Sequence, residues 1–240
     1  MKPTLFVSDL HLSPARPQIA ELFYRFLENE AREAAALYIL GDLFDMWVGD
    51  DDPHPLNNSV MDALTRLSRS GVRLFVMHGN RDFLFGSRGA ERVGAQILPD
   101  PTLLDLNGTP TLLMHGDTLC TDDFEYQQQR ARYRRPWVLR GFLALPRALR
   151  VEIAQHFRRK SERTKRVTAP RIMDVNTGAV EAALRAHGYP RLIHGHTHRP
   201  ARHLHLVDAR RCERWVLADW YERGSYLRCD PQGLASVMLG

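Results

Sequence analysis

The sequence lacks any run of about 18 or more apolar residues, so no membrane-spanning helix is expected. It also lacks the apolar core of a secretory signal. One lysine precedes the short run Thr4-Leu5-Phe6-Val7, which soon meets Asp9. Cysteine is scarce: Cys120, Cys212 and Cys229 are odd in number, far apart and outside any C-x-x-C spacing. That excludes a disulfide framework, and it suggests a reducing compartment and inert, buried thiols. No internal repeat or low-complexity tract interrupts the chain. What remains is 240 residues, 44% apolar and 25% charged. Such a chain can bury a sizeable core within one α/β unit.

Charge is unevenly placed. Between Arg130 and Arg171 stand 14 Lys or Arg against two acids, Glu152 and Glu162, a balance of +12. The remainder carries 19 basic and 26 acidic residues, −7, and the two sum to the net +5. An acidic body with one basic segment points to a local anionic partner: phosphate, nucleic acid or a lipid headgroup.

The first third alternates strands and helices. Leu5–Val7, Leu37–Leu40 and Val72–Met77 read as strands. Between them, Ile19, Leu22, Phe23, Phe26 and Leu27 fall on one helical face, as do Leu56, Val60, Met61, Leu64 and Leu67 before Gly71. This rhythm predicts parallel strands with crossover helices. Asn107-Gly108 predicts a type I′ hairpin joining Thr102–Leu106 to Thr109–Met114. Residues 121–172 read as helical, broken at Pro136 and Pro146. A helix over Val175–His187, a strand at Arg191–His194 and four short antiparallel strands follow. The expected architecture is one α/β core, residues 1–120 and 173–240, with two sheets and an inserted helical cap over 121–172.

Five chemistry-bearing segments sit at strand ends: Ser8-Asp9-Leu10-His11, Gly41-Asp42, Gly79-Asn80-Arg81-Asp82, His115-Gly116-Asp117 and Gly195-His196-Thr197-His198. Ligands of open α/β sheets bind beyond the carboxyl ends of strands, so these loops are expected to converge. Asp-x-His and His-x-His are expected to present both side chains on one side of an extended backbone. Glycines beside Asp42, Asn80, His115 and His196 permit tight turns near an ion. Carboxylate, amide oxygen and imidazole together suit Mn²⁺, Fe²⁺, Zn²⁺ or Co²⁺, and the absence of thiolates argues against structural zinc. Each motif alone is weak, because a lone Gly-Asp or Asp-x-His is more often a turn or a cap. The set of five in this order is what carries the reading.

At these residues the chain resembles the calcineurin-like metallophosphoesterases. Their pattern is Asp-x-His, Gly-Asp, Gly-Asn followed by His or Arg and an acid, then His-Gly and Gly-His-x-His. The resemblance spans nearly the whole chain and implies a β-sandwich flanked by helices (αββα) around a dinuclear site. Asp9, His11, Asp42 and His198 would hold one ion. Asp42, Asn80, His115 and His196 would hold the other, with Asp42 shared and Asp82 orienting a neighbour. Asn80, Arg81 and His196 are the implied catalytic groups. Where many members carry His after the Asn of the third loop, this chain has Arg81. Arginine cannot donate a proton near neutral pH but can clamp phosphate oxygens, so the leaving group should need little acid assistance.

Longer strings, among them Tyr38 to Asp45, His78 to Leu84, Met114 to Asp123 and Leu192 to Pro200, match a lipid A-synthesising subgroup of that family. The likeness implies hydrolysis of the diphosphate of UDP-2,3-diacylglucosamine to the diacylglucosamine 1-phosphate and UMP, with water attacking the α-phosphorus. It implies Mn²⁺, two per subunit, and work at the cytoplasmic face of the inner membrane on its anionic surface. No nucleic acid is expected as partner, because aromatic interleaving in the basic segment is limited to Tyr126, Tyr133, Trp137 and Phe142 and no recognised module appears. Substrate contacts carry over to Asn80, Arg81, Asp123, Ser161 and His196. Alignment on Ile172-Met173-Asp174 adds Lys165 and Thr168.

Two regions stay open at the level of sequence. The cap's Trp137, Val138, Leu139, Phe142, Leu143 and Leu145, flanked by Arg132, Arg134, Arg135, Arg140, Arg147 and Arg150, read either as an acyl groove with a basic rim or as helices packed on the core. Asp50-Asp51-Asp52 is expected to be a solvated loop, because contiguous carboxylates repel and cannot all face one cation. A nuclease or phosphoprotein phosphatase, or a non-enzymatic scaffold, are the competing readings. The first leaves the apolar cap without a use and the second leaves the intact ligand set without one.

Overall fold

The computed structural model describes residues 2–52, 54–167 and 174–240, with the backbone alone over 160–167. The predicted alternation is present as β1 (Thr4–Val7), α1 (Pro17–Glu28), β2 (Ala36–Leu40), α2 (Pro55–Arg69) and β3 (Arg73–Met77). Proline at the first turn of α1 and of α2 starts each helix where its missing N–H costs nothing. Two elements without apolar periodicity follow, α3 (Ser87–Val93) and β4 (Ala95–Leu98). β4 adds a fourth parallel strand beside β3. The hairpin of β5 (Thr102–Leu106) and β6 (Thr109–Met114) turns through Asn107 at φ 53° and Gly108 at φ 81°, the two left-handed residues that a type I′ turn requires.

The helical segment comprises α4 (Phe124–Tyr133), α5 (Pro136–Leu143) and α6 (Arg147–Val167). Pro136 opens α5 and Pro146 directly precedes α6, so both prolines separate helices as expected. The chain then returns through α7 (Thr177–Ala186), β7 (Arg191–His194), β8 (Ala201–Val207), β9 (Arg210–Val216), β10 (Ser225–Asp230) and β11 (Gly233–Met238). The last four strands are not uniformly antiparallel. β9 is antiparallel to β8 but runs parallel to β7. The long connection through β8 lets it return in the same direction as β7.

Two sheets result, one ordered β11-β10-β1-β2-β3-β4 and the other β5-β6-β7-β9-β8. Strand alternation divides their apolar residues into three layers. Leu5, Val7, Leu37, Ile39, Leu74 and Val76 face α1 and α2. Phe6, Tyr38, Leu40, Met77, Leu113 and Ile193 fill the space between the sheets. Leu112, Met114 and Leu192 pack on Val180 and Leu184 of α7. Burial on both faces is why these strands read as continuous apolar runs rather than alternating ones. The architecture is the expected αββα sandwich. β1, β2 and β3 are parallel to one another, as are β6 and β7. Their carboxyl ends carry the five loops singled out above.

Candidate metal centre

The loops are fastened to each other before any ligand is considered. Asp9 N donates to Gly41 O (3.1 Å), His11 N to Asp42 O (2.9 Å) and Gly195 N to His115 O (2.9 Å). Asp82 accepts from the backbone N–H groups of Gly79 (2.9 Å), Leu43 (2.8 Å) and Asp42 (3.3 Å), so it orients two loops. Gly41, at φ 91°, passes so close to the third strand's loop that a Cβ would stand 2.5 Å from His115 Nδ1 and 2.7 Å from Gly79 Cα. A Cβ on Gly79 would fall on the Asp42 carboxylate. These glycines are needed for loop to approach loop.

The extended-backbone expectation for Asp-x-His and His-x-His is not what the chain does. Asp9, His11, Asp42, His196 and His198 all have φ between 46° and 69°. They are five of the nine non-glycine residues in the left-handed region among the described residues. Each such conformation costs on the order of 1 kcal/mol or more and survives only where its surroundings impose it. The side chains therefore converge through left-handed turns. The concentration of strain at these positions marks a functional centre.

Asp9 Oδ1 stands 3.3 Å from His198 Nε2 and 3.9 Å from His11 Nε2, and the two imidazole nitrogens are 3.3 Å apart. Asn80 Oδ1 lies 3.2 Å from His115 Nε2 and 3.0 Å from His196 Nδ1. Between these groups lies Asp42, whose Oδ1 accepts from Arg81 N at 2.8 Å. Its Oδ2 faces both sides, 3.7 Å from His11 Nε2 and 3.9 Å from His115 Nε2. Donors about 2.0–2.2 Å from one ion stand roughly 3–3.5 Å from each other, so these spacings fit coordination with small adjustments. The atoms of Asp9, His11 and His198 form one group that could hold an ion, and those of Asp9, Asp42 and His115 another. Asp9 thus belongs to both groups, while Asp42, a member of the second, lies 3.7 Å from His11 Nε2 of the first.

The donors have the right chemistry. His115 Nδ1 is 2.9 Å from Leu40 O. A proton there leaves Nε2 as a lone pair aimed at the cluster. His198 Nδ1 faces Asp219 Oδ2 at 3.5 Å in the same manner. Burial pushes the Asp42 carboxyl upward, and the neighbouring Asp82 and Asp9 carboxylates add to it. Burial also opposes charge on Asp9 and on His115. It is outweighed at Asp9 by His198, His115 and His11, which hold the carboxyl below its usual range. At His115 the Asp42, Asp117 and Asp9 carboxylates outweigh burial and raise the imidazole. The pocket is anion-rich and draws positive charge, the condition a divalent cation satisfies.

Asn80, Arg81, His196 and His198 continue into a cavity of about 480 Å³. Its far wall is Val138, Leu139, Phe142, Ile153 and Phe157 from α5 and α6, and Asp123, Tyr126 and Arg134 line its side. The Arg81 side chain is half-buried and lines the cavity beside Asn80, its Nε without a hydrogen-bond partner among the described residues. Asp123 also caps α4, accepting from Tyr126 N at 3.0 Å. Thr168 and the side chains of Ser161 and Lys165 lie outside the described residues.

Two sequence expectations change here, and one buried group had no role assigned. Asp50, Asp51 and Asp52 are not an idle solvated loop. Asp50 accepts from Gly86 N and Gly89 N at the start of α3 (both 2.9 Å), Asp51 pairs with Arg150, and Asp52 accepts from His54 N and Asn57 Nδ2 at α2 (both 3.1 Å). Each carboxylate is used separately, which is how three adjacent charges are tolerated. Arg150 is not part of a solvated rim. It is 2% exposed and donates to Val48 O (2.6 Å), Leu145 O (3.1 Å) and Asp51. Asp117, quoted only as part of a motif, is fully buried and accepts from Tyr126 Oη (2.6 Å) and Arg130 Nε (2.7 Å). The signal available in sequence was a strand-end aspartate with no assigned ligand role, which needs cations, and a basic segment downstream to supply them. The three cysteines are buried, and burial pushes the Cys120 thiol up to about 12, in keeping with inert thiols.

A family profile described as calcineurin-like phosphoesterase matches residues 2–200. The chain belongs to that family. Within it, the chain is 55% identical over 230 residues to a protein of Aromatoleum aromaticum, covering 95% of this chain and 94% of that one. It is 51% identical to a protein of Stenotrophomonas maltophilia, with 96% of each chain covered. It is 52% identical to one of Nitrosococcus oceani, covering 96% and 92% respectively. All three relatives bear the name UDP-2,3-diacylglucosamine hydrolase. As a calcineurin-like phosphoesterase, this chain is a metal-dependent hydrolase.

Proposed function

We propose that this calcineurin-like phosphoesterase hydrolyses the diphosphate of UDP-2,3-diacylglucosamine, giving the diacylglucosamine 1-phosphate and UMP. The observation that carries this reading is one continuous cavity. It joins the candidate metal centre, through Arg81, to the apolar faces of α5 and α6. A phosphate-bearing lipid has the same polarity sequence. The relatives' shared name agrees with it.

In this reading Asp9, His11, Asp42 and His198 hold one Mn²⁺ and Asp42, Asn80, His115 and His196 the other. When bound, the ions supply an acidified water and neutralise phosphoryl charge. The chain's own part is positioning. Arg81 reaches into the cavity beside Asn80, where its planar fork can take two phosphate oxygens. Tyr126 Oη donates to Asp117, which accounts for its proton and leaves the ring stacked on His196 at 6.0 Å. Asp123 at the cavity wall is placed to accept a sugar hydroxyl, and Ser161, Lys165 and Thr168 are proposed contacts from the cap. Arg81 stands in place of the family's usual histidine and donates no proton, which suits the sugar phosphate, the leaving group when water attacks the α-phosphorus.

Residues 121–172 act as the cap, with Val138, Leu139, Phe142 and Phe157 against the acyl chains. Trp137 and Phe124 are 67% and 73% exposed, and exposed Arg132, Arg135 and Arg140 lie on the same helices. Exposed aromatic and basic residues together suit an anionic bilayer surface, and no described helix is long and apolar enough to cross one. Peripheral attachment at the cytoplasmic face of the inner membrane follows from that reading.

The test is UMP release from UDP-2,3-diacylglucosamine by the metal-stripped protein, with and without Mn²⁺. Metal-dependent release of UMP and the lipid 1-phosphate is expected. Release of UDP, or turnover of phosphopeptides or DNA ends in preference to the lipid, would overturn the assignment.

A further inference from the structure

The two candidate ion positions share Asp42 and both neighbour Asp9, and His196 N donates to Asp9 Oδ2 at 2.8 Å, but their remaining supports differ. Asp9 and His11 are tied by backbone hydrogen bonds to the β2 loop, and Trp220 N donates to Asp9 O at 3.2 Å. His198 faces Asp219, and the Tyr221 ring lies parallel to the His11 ring at 5.4 Å. All of these belong to the sandwich itself.

The other position is reached by α4. Asp117 is two residues beyond His115 on one buried turn. Its Oδ2 accepts from Tyr126 and Arg130 and lies 3.4 Å from Arg134 Nη2. That same nitrogen donates to Gly79 O at 2.8 Å, the residue before Asn80. Gln127 Nε2 donates to Asp117 O at 2.8 Å, and the Tyr126 ring stacks on His196. Asn80, His115 and His196 therefore each neighbour a group fastened to α4. The helix itself has no buried residue and is held by polar contacts. Arg130 and Arg134 are about four-fifths buried, so the carboxylate that answers both is not replaceable by water at equal energy.

We propose that Asp117 is a positioning residue that makes the affinity of one ion position, the one served by Asn80, His115 and His196, depend on the seating of α4. The position served by Asp9, His11 and His198, held by the sandwich contacts above, responds much less. The inference rests on the ligand assignment proposed above. Since α4 also lines the cavity, a substrate there and an ion at that position favour the same arrangement.

Mn²⁺ titration of the metal-stripped full-length protein, followed by calorimetry and by electron paramagnetic resonance, tests this. The unaltered protein should take two ions. Asp117→Asn should weaken one of them by about tenfold or more, the scale at which groups orienting a ligand act, and leave the other nearly unchanged. Tyr126→Phe, which removes a single donor and keeps the ring, should weaken the same ion a few-fold. Equal weakening of both ions, or none of either, overturns the proposal, because a general loss of structure does not discriminate between them. If Asp117→Asn does not fold in the metal-free state, Tyr126→Phe decides alone, and unchanged binding there overturns it. Fewer than two ions on the unaltered protein removes the ligand assignment itself, and the proposal with it.

Discussion

The ligand loops and the cap helices are held by opposite means. Asp9, His11, Asp42 and His115 are at most 2% exposed and their backbones are cross-linked, and the first three are held in the left-handed region. By contrast, α4 and α5 have no buried residue. The helical segment is fastened by charged contacts to the sandwich: Arg130 and Arg134 to Asp117, Arg150 to Val48 and Asp51, and Arg158 to Asp45. A metal site needs donors fixed within a fraction of an ångström, which strain and dense packing supply. A groove for acyl chains, as proposed above, needs apolar lining rather than fixed donors, and α5 and α6 supply Val138, Leu139, Phe142 and Phe157. On the proposed function, the buried, cross-linked region is the one that holds the metal and the polar-fastened one is the one that meets the lipid.

The comparison breaks most completely at Asp42. Its Oδ2 stands 3.7 Å from His11 Nε2 and 3.9 Å from His115 Nε2, and its Oδ1 accepts from Arg81 N. Asp42→Ala should abolish turnover, and the metal content of the purified variant should fall with it. Retained activity would falsify the shared-ligand role. The next effect belongs to the boundary between the two regions. Arg81→Ala should lower kcat by about 100-fold, the scale of losing one donor to developing phosphoryl charge, while both ions stay bound. Steady-state kinetics beside metal analysis separates the two variants. An unchanged kcat would remove Arg81 from the machinery.

The contrast also explains which parts of the molecule were legible in the sequence. The strands and helices of the sandwich could be read because burial on both faces leaves apolar runs and 3.6-residue stripes, as in Leu37–Leu40 and in Ile19 to Leu27. The candidate ligands could be read because five short motifs recur at strand ends. β4 and α3 could not: Ala95-Gln96-Ile97-Leu98 pairs with β3 through backbone bonds that leave no side-chain pattern. The backbone conformation of the ligands was also hidden, since the sequence spacing of Asp9 and His11 fits an extended strand as well as a left-handed turn. Asp219 and Arg150 act through partners distant in sequence, such as Val48 for Arg150 across 102 positions. No local rule reports such a pairing. Whether the cap's apolar residues line a groove or pack on the core depended on where α5 comes to rest, and the cavity places Val138, Leu139 and Phe142 on its wall.

A smaller effect sharpens the comparison at the cap's second anchor. Arg150→Met removes the donors to Val48 O and Leu145 O while keeping most of the apolar stem. A buried carbonyl left without its charged donor costs about 1–3 kcal/mol. The loss should be local: faster proteolytic cleavage within residues 121–172, with Mn²⁺ binding retained. Equal loss of metal binding would mean that the cap and the ligand loops unfold together and that the contrast drawn here is false.

The smallest effect is the charge on Asp51. Pairing with Arg150 holds its carboxyl below the usual carboxylate range, against a weaker push upward from burial. A carboxyl depressed in the folded state stabilises it above the unfolded pKa of about 3.9, and that contribution disappears as pH falls through the folded value. The Asp51 side chain is 51% exposed, so solvent screens the pair and the contribution should be under about 1 kcal/mol. Asp51→Asn should therefore be slightly less stable than the parent chain near neutral pH. Well below pH ~3.9 the two should converge, because protonation then does to Asp51 what the substitution does. Denaturant midpoints of both proteins across that range measure it. A difference that persists undiminished in acid would show that the anchor acts through shape and through Val48 rather than through charge.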